Sequence, residues 1–422
     1  MTVLCLAAHG FAEDSLPLGG GAAVCSQLLR EWSRTQPFPV QLVNPAILGA
    51  DAPSGSELVR YNERLYAAFC RRFETAATAE VLRHDPARTV VLVNDISEGP
   101  DFSRLAAAAY PIVTIYHVDV VAYVAAIYGR QCVAPATLVR CYENLRRSVF
   151  GALIPGMAKL VFDKQRDSLR YSRAVVVPSR SMRELLLNCY PDTPPERIQV
   201  LPWGACESGC DEAAVAAEAA ALRHQYAIPR DALVLLTLSR ISVEKGQDLL
   251  LRALLDWERR SDFPRQPVWL FICGDAAYMQ GHRFLRRLQS LAARLRKTRV
   301  IFTGHVTGIR KQAFFALAGL YVFPSRHESY GLTLVEALRA GLPAVCLDHH
   351  GAREVLRPDC GLLVPKEQLR EAIARLLLDP DLRARMGRAA RDYAATLLFS
   401  DAAAALGGII QHCIVGSSPG LR

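Results

Sequence analysis

Short runs of β-branched and aliphatic residues alternate with longer amphipathic stretches along almost the whole chain. This alternation constrains the fold more than any other feature. Strands separated by helix-length segments pair in parallel, with the helices as crossovers that cover both faces of a sheet. In the first half the strand-like runs fall at 3–8, 40–43, 89–93, 112–116, 174–178 and 198–202. In the second half they fall at 234–238, 268–273, 300–303, 320–324 and 344–347. Between the two series, 204–230 carries glycine, acidic residues and an alanine-rich helical stretch, so the joint is placed there. The expected organisation is an α/β domain over 1–203, a second over 204–390, and a tail over 391–422. No short-period repeat is present, which excludes a solenoid.

At 422 residues the chain has room for two separate cores, and 51% apolar with 22% charged residues excludes a disordered chain. The net charge of +9 is uneven: 21 basic against 19 acidic side chains in 1–200, but 29 against 22 in 201–422. A basic surplus in the second half suits an anionic ligand. The basic residues are not interleaved with aromatics, so no nucleic-acid partner is expected. The twelve cysteines are scattered, and Cys206 and Cys210 lack a second Cys/His pair at zinc spacing, which points to buried thiols in a reducing compartment. Residues 1–10 read as a first strand, not a leader. The longest apolar stretch, 106–128, is interrupted by Pro111, His117 and Asp119, so no transmembrane span is expected. The expected location is cytoplasmic.

Several familiar motifs fail. The run Gly19-Gly20-Gly21-Ala22-Ala23-Val24 comes about ten residues too late, and with valine at the third glycine position, for a dinucleotide fingerprint. No GxxxxGK[ST] occurs. Gly416-Ser417-Ser418-Pro419-Gly420 spells a nucleophile elbow, but on the tail with no helix after it. Asp379-Pro380-Asp381 spells an acidic metal motif, yet it stands where Asp-Pro caps a helix. No metal is assigned.

Two segments carry chemistry. In FPSRHESYGLTLVEA, at 323–337, a strand ends, a loop presents Glu328, and a helix starts near Gly331. The N–H groups and dipole of a helix start attract an anion. Glu336 falls about a turn and a half into that helix, on a core-facing stripe, where a carboxylate needs a polar partner such as a ribose diol. In LSRISVEKG, at 238–246, Arg240 and Lys245 follow a strand on the loop leading into a helix. One forked and one compact cation at a strand end suit a diphosphate.

Taken in order, SR-x4-KG, the CGD of 273–275, FTGHV at 302–306 and E-x7-E followed by ALRAGLPAV resemble the retaining glycosyltransferases of the GT-B fold, family four. The resemblance covers nearly all of 200–395. First-half features agree: the Gly19–Gly21 turn, TIYH ending in His117, and SRAVVVPSRSM at 172–182. It implies two Rossmann-like domains facing across a cleft, the first binding acceptor and the second a nucleotide-sugar donor, with the helix of 391–422 crossing back to the first. It further implies that Arg240, Lys245 and the N–H groups of Tyr330, Gly331, Leu332 and Thr333 hold the diphosphate, and that Glu336 takes the ribose. Glu328 would bind the transferred sugar, with Gly274, Val306 and Ser329 also in the donor site. Gly20 and Gly21 would let the backbone approach the phosphates, and His117 would orient the sugar. The implied activity is hexosyl transfer by metal-independent front-face substitution, without a cofactor. A silent binding relative and a nucleotide-sugar epimerase are the alternatives.

The chain departs from the family at Trp203, where asparagine is usual, and at Asp348-His349-His350-Gly351, where a glycine-rich loop is usual. Leu16-Pro17-Leu18 ahead of the first glycines is compatible but not diagnostic. The acceptor is expected to be a glycan, a lipid-linked or a small molecule. Between 138 and 171, the apolar Phe150–Gly156 stretch sits among seven basic and three acidic residues, the pattern of a peripheral membrane contact. A core helix with a solvated face is the alternative.

Overall fold

A computed structural model describes residues 1–10, 19–58, 60–127, 133–205, 210–276 and 281–415. The chain forms two compact units: one from the chain up to Pro202 together with the chain from Ser400 onward, the other Trp203–Phe399.

The first unit is built on β1 (Thr2–Leu6), β2 (Val40–Val43), β3 (Thr89–Val93), β4 (Ile112–Ile115), β5 (Ala174–Val177) and β6 (Ile198–Val200). They form one parallel sheet in the order β2-β1-β3-β4-β5-β6. TVVLV, IVTI and AVVV in β3, β4 and β5 are buried throughout, as strands covered on both faces must be. Helix Phe399–Val415 docks here. The Trp32 indole donates to the Ala403 carbonyl at 3.1 Å and Arg173 to that of Cys413 at 2.6 Å.

The second unit holds β7 (Leu233–Leu238), β8 (Val268–Cys273), β9 (Thr298–Gly304), β10 (Leu320–Phe323), β11 (Ala344–Leu347) and β12 (Gly361–Val364), parallel in the order β12-β11-β10-β7-β8-β9. Trp257, Leu250, Leu270, Leu288 and Ile373 are among its fully buried core. The sequence misses β12. GLLV is short and led by glycine, which belongs there because a Cβ on Gly361 would lie 2.2 Å from the Ala344 carbonyl oxygen.

One boundary differs from the sequence reading. The chain passes from the first unit to the second at Pro202–Trp203, and helix Glu212–Gln225 packs on helix Gly308–Leu317 within the second unit. Trp203 is buried and stacks on Phe399 with ring centroids 6.1 Å apart, while the Ala205 N–H donates to Leu397 at 3.0 Å. Helix Pro380–Ala394 stays on the second unit beside helix Leu332–Arg339, so the chain returns at Ser400 and not at 391. Asp379 caps it, accepting the Leu382 N–H at 2.8 Å. Leu16–Leu18, Cys132, Cys206 and Gly416–Gly420 lie outside the described residues. The described cysteines are free thiols, most of them buried, and among the described residues no helix is long and apolar enough to cross a membrane.

Candidate active site

Each sheet reverses its direction of strand addition once: between β1 and β3 in the first unit, and between β7 and β10 in the second. Ligands of open α/β sheets bind beyond the strand carboxyl ends at such points. In the second unit, both chemistry-bearing loops leave the sheet there.

After β7 the chain passes through Arg240 and Ser242 into a single turn at Val243–Lys245. After β10 it passes through Ser325 to Glu328. The Lys245 ammonium meets Glu328 Oε1 at 2.6 Å, and Ser325 Oγ donates to the same oxygen at 3.0 Å. Burial pushes the Glu328 carboxyl up, but the charge and hydrogen bond of Lys245 reverse this, and it stays ionised below its ordinary range. Arg240 lies 3.9 Å from Glu244.

Three devices hold the loops in register. Arg326 forks onto Asp248 at 2.8 and 2.9 Å and donates to the Val243 carbonyl at 2.7 Å, tying the β10 loop to the β7 loop. Gln247 donates to the Arg240 carbonyl at 2.8 Å. Gly246 (φ 65°) seats its backbone where a Cβ would be 1.9 Å from the Pro324 oxygen. Gly274, at φ 145°, plays a similar part at the end of β8, since a Cβ there would be 1.8 Å from the Ser239 oxygen, just before Arg240. Val306 is buried on the loop after β9.

Gly331, left-handed at φ 112°, caps helix Leu332–Arg339, whose first N–H groups are beyond reach of helical acceptors. Tyr330 is buried, and the Thr333 hydroxyl accepts from Tyr321 at 2.9 Å. The core-facing stripe of this helix is Leu334, Val335, Ala337 and Leu338. Glu336 is therefore half-buried on the opposite side, contrary to the sequence reading, and its partner is Lys311 at 2.7 Å. His349 caps helix His350–Val355 through Nδ1, which accepts the Ala352 N–H at 3.2 Å. The Gly351 N–H donates to the Glu328 carbonyl at 3.1 Å, binding this loop to the β10 loop.

In the first unit, Gly19 is the positive-φ cap and Gly20 and Gly21 form the first helical turn, so they are not loop residues as read from sequence. His117 follows β4, and a Cβ on Gly21 would lie 2.9 Å from its ring. Asn94, buried after β3, bridges them. Its amide donates to the Gly21 carbonyl at 3.5 Å and to Asp95 at 3.3 Å, both acceptors only. Its Oδ1 thus faces His117 Nε2 at 2.9 Å, which places the imidazole proton on Nε2. Beside this, His9 pairs with Asp95 at 3.2 Å, and Tyr66 joins His9 at 3.3 Å and donates to Glu98. Among the described residues, His9, Asp95 and Glu98 form a group close enough to share a cation. Their polar atoms are instead engaged with one another and with Tyr66.

Burial pushes His117 and His349 down to about 4. Between the ordinary histidine pKa near ~6.5 and that value, the unfolded chain binds the proton and the native chain does not. Acidification through this window therefore destabilises the fold by ~1.4 kcal/mol per pH unit for each group. The Tm of the wild-type protein should fall more steeply between pH 7 and 5.5 than that of His349→Asn, which keeps a capping oxygen and removes the titration. Parallel slopes in a thermal melt would contradict the assignment.

Lys311, Asn94, His349 and the Arg326–Asp248 clamp were not found from sequence. Only His349 left a signal, as part of the departing Asp348–Gly351 loop.

Two six-stranded parallel sheets with loops of this kind at their switch points define a GT-B fold. It is shared across the chain with sucrose-phosphate synthase from Thermosynechococcus elongatus (TM-score 0.74, 19% identity, 99% of this chain and 100% of that one). It is also shared with HepE from Anabaena in complex with UDP-glucose (TM-score 0.64, 17% identity, 99% and 100%). Residues 218–393 match the family model described as glycosyl transferases group 1. Alpha-D-kanosaminyltransferase from Streptomyces kanamyceticus is 29% identical over 253 residues, 59% of this chain and 62% of that protein. The matched stretch thus spans less than two thirds of that relative.

Proposed function

We propose that the protein is a retaining glycosyltransferase, taking a sugar from a nucleotide-diphosphate sugar and placing it on an acceptor hydroxyl. The observation that carries this reading is the meeting of Lys245 and Glu328 at the switch point of a glycosyl transferases group 1 domain. Cations there suit the diphosphate; carboxylates suit the hydroxyls of ribose and sugar. The complex of HepE with UDP-glucose supports a nucleotide-sugar donor. In this reading the second unit binds donor and the first binds acceptor.

The reaction runs on one face of the sugar. The bond from the anomeric carbon to the diphosphate oxygen breaks as the acceptor oxygen bonds to that carbon, and the acceptor proton passes to the departing diphosphate oxygen. Arg240, Lys245 and the start of helix Leu332–Arg339 neutralise the charge that develops, the largest catalytic contribution in such a site. Glu336 binds the ribose, Glu328 the transferred sugar, and Lys311 is released to phosphate or solvent. His117, neutral with its proton on Nε2, is the first unit's contribution to orienting the sugar. No metal is required where two side-chain cations and a helix terminus do this work. A lipid-linked acceptor would bring the enzyme to the inner face of a membrane, with residues 138–171 making the contact.

A thermal-shift panel of UDP, GDP, ADP, dTDP and CMP in EDTA tests the reading, run beside a Lys245→Ala/Glu336→Ala double variant. At a hundred times its Kd, a ligand stabilises by ~2.7 kcal/mol. One diphosphate should shift the wild-type protein and not the variant. No shift with any of them would favour a silent relative.

A further inference from the structure

We infer that the turn Val149–Leu153 is a docking point for an anionic lipid surface. Val149 is 90%, Phe150 60% and Leu153 78% exposed, three large apolar side chains within five residues. Single exposed hydrophobes are ordinary; three together on one turn are not.

The turn is built to hold them out. It joins helix Pro135–Arg147 to helix Gly156–Tyr171. Ser148 Oγ donates to the Leu145 carbonyl at 2.7 Å and accepts the Phe150 N–H at 3.2 Å. The Gly151 N–H closes onto the Ser148 carbonyl at 3.0 Å. A side chain at Gly151 would collide with the Arg146 carbonyl oxygen at 2.5 Å, and Ile154 anchors the exit in the interior. A loop free to rearrange would tuck Phe150 away; this one is locked.

Charge selects the occupant. From Leu145 to Lys159 there are three basic residues, Arg146, Arg147 and Lys159, and no acidic one, with Arg140 exposed a turn earlier. Arg147 stands out into solvent, and Arg146 is more than a third exposed. Of the seven basic residues between 138 and 171, Lys164 and Arg166 turn inward to Glu74 and to Glu143, Asp163 and Asp167. Arg140, Arg146 and Arg147 are the exposed cations beside the apolar turn, the last two also reaching Glu143 at 3.1 and 3.8 Å, while Arg170 is exposed at the far end of helix Gly156–Tyr171. The three side chains expose on the order of 400 Å², half of the ~800 Å² per partner of a stable protein interface. A bilayer needs no such area: it takes apolar side chains singly into the headgroup boundary while basic neighbours meet anionic lipid. The inference does not depend on the transfer activity.

The test is co-sedimentation of the full chain with phosphatidylcholine vesicles and with vesicles of three parts phosphatidylcholine to one part phosphatidylglycerol. The protein should pellet with the anionic vesicles and stay in solution with the neutral ones. The triple variant Val149→Ser/Phe150→Ser/Leu153→Ser should partition at least tenfold less, with unchanged circular dichroism. Arg146→Gln/Arg147→Gln should weaken binding about tenfold, less so in high salt. Phe150→Trp should shift its emission to the blue on anionic vesicles only. Equal binding to both vesicle types, none to either, or full retention by the triple variant would overturn the inference. So would concentration-dependent dimerisation of the wild-type chain that the triple variant abolishes, since the turn would then face a second copy.

Discussion

Lys245→Ala should lower kcat by roughly two to three orders of magnitude, the expected loss when one preorganised charge is removed from a developing oxyanion. The same change strands Glu328, a largely buried carboxylate whose cation is Lys245 at 2.6 Å. Breaking such a pair destabilises by about 3–5 kcal/mol, so lost activity alone would be ambiguous. The double variant Lys245→Ala/Glu328→Gln separates the two effects. A neutral amide needs no cation, so the Tm should recover most of its loss while turnover stays low. Near-wild-type turnover in either variant would remove the proposed mechanism. Turnover that recovers together with Tm would reduce Lys245 to a structural residue.

The second large effect is backbone. Gly246→Ala should destabilise the second unit by about 3–5 kcal/mol, or a Tm drop of about 10 °C for a unit of this size. Two penalties combine: φ of 65°, and a Cβ placed 1.9 Å from the Pro324 oxygen at the end of β10. Gly308 supplies the control. Its φ is 55°, but nothing lies within 4 Å of an added Cβ, so Gly308→Ala should lose only about 1 kcal/mol. Equal melting temperatures for the two variants would show that the close approach at Gly246 is not rigid. Because the approach seats Lys245 beside Glu328, donor binding should fall with stability in Gly246→Ala and not in Gly308→Ala.

The two variants also show what a sequence of this kind discloses. The glycine of SR-x4-KG is legible because a tight strand-to-helix turn needs a positive φ there. Eleven strands are legible to within two residues at each end, the interior ones because burial on both faces makes their sequences almost uniformly aliphatic, the edge strands β2, β6 and β9 from their short β-branched runs alone. Arg240, Lys245 and Glu328 are legible as candidates because they stand on loops following such strands, where ligands of open α/β sheets bind. Lys311 has no such mark: it is one lysine on a helix, and only the third dimension brings it to Glu336. The clamp between Arg326 and Asp248 joins positions 78 apart. Asn94 looks like an ordinary polar residue ending a buried strand until the acceptors around its amide show which way it faces. Pairings of this length carry no local periodicity, so reading along the chain passes over them. The misplaced face of Glu336 has a related cause. In an eight-residue helix, a shift of one position in the start rotates every side chain by about 100°.

In the function proposed above, the two lysine–carboxylate pairs would make recognition at this site conjunctive. Lys245 and Lys311 each sit within 2.7 Å of a glutamate, so a ligand gains their charge only by taking it from Glu328 and Glu336. Inorganic pyrophosphate brings acceptors alone; it can draw off the lysines but leaves both carboxylates without their cations, Glu328 keeping only the Ser325 hydroxyl. A sugar by itself brings hydroxyls that the glutamates accept but leaves the lysines where they are. A nucleotide sugar carries both in one molecule, phosphates for the cations and hydroxyl hydrogens for the carboxylates, and on the proposed reading would exchange both pairs at once. The internal pairs would then act as a filter against the fragments of the donor, set before any contact with the base is made.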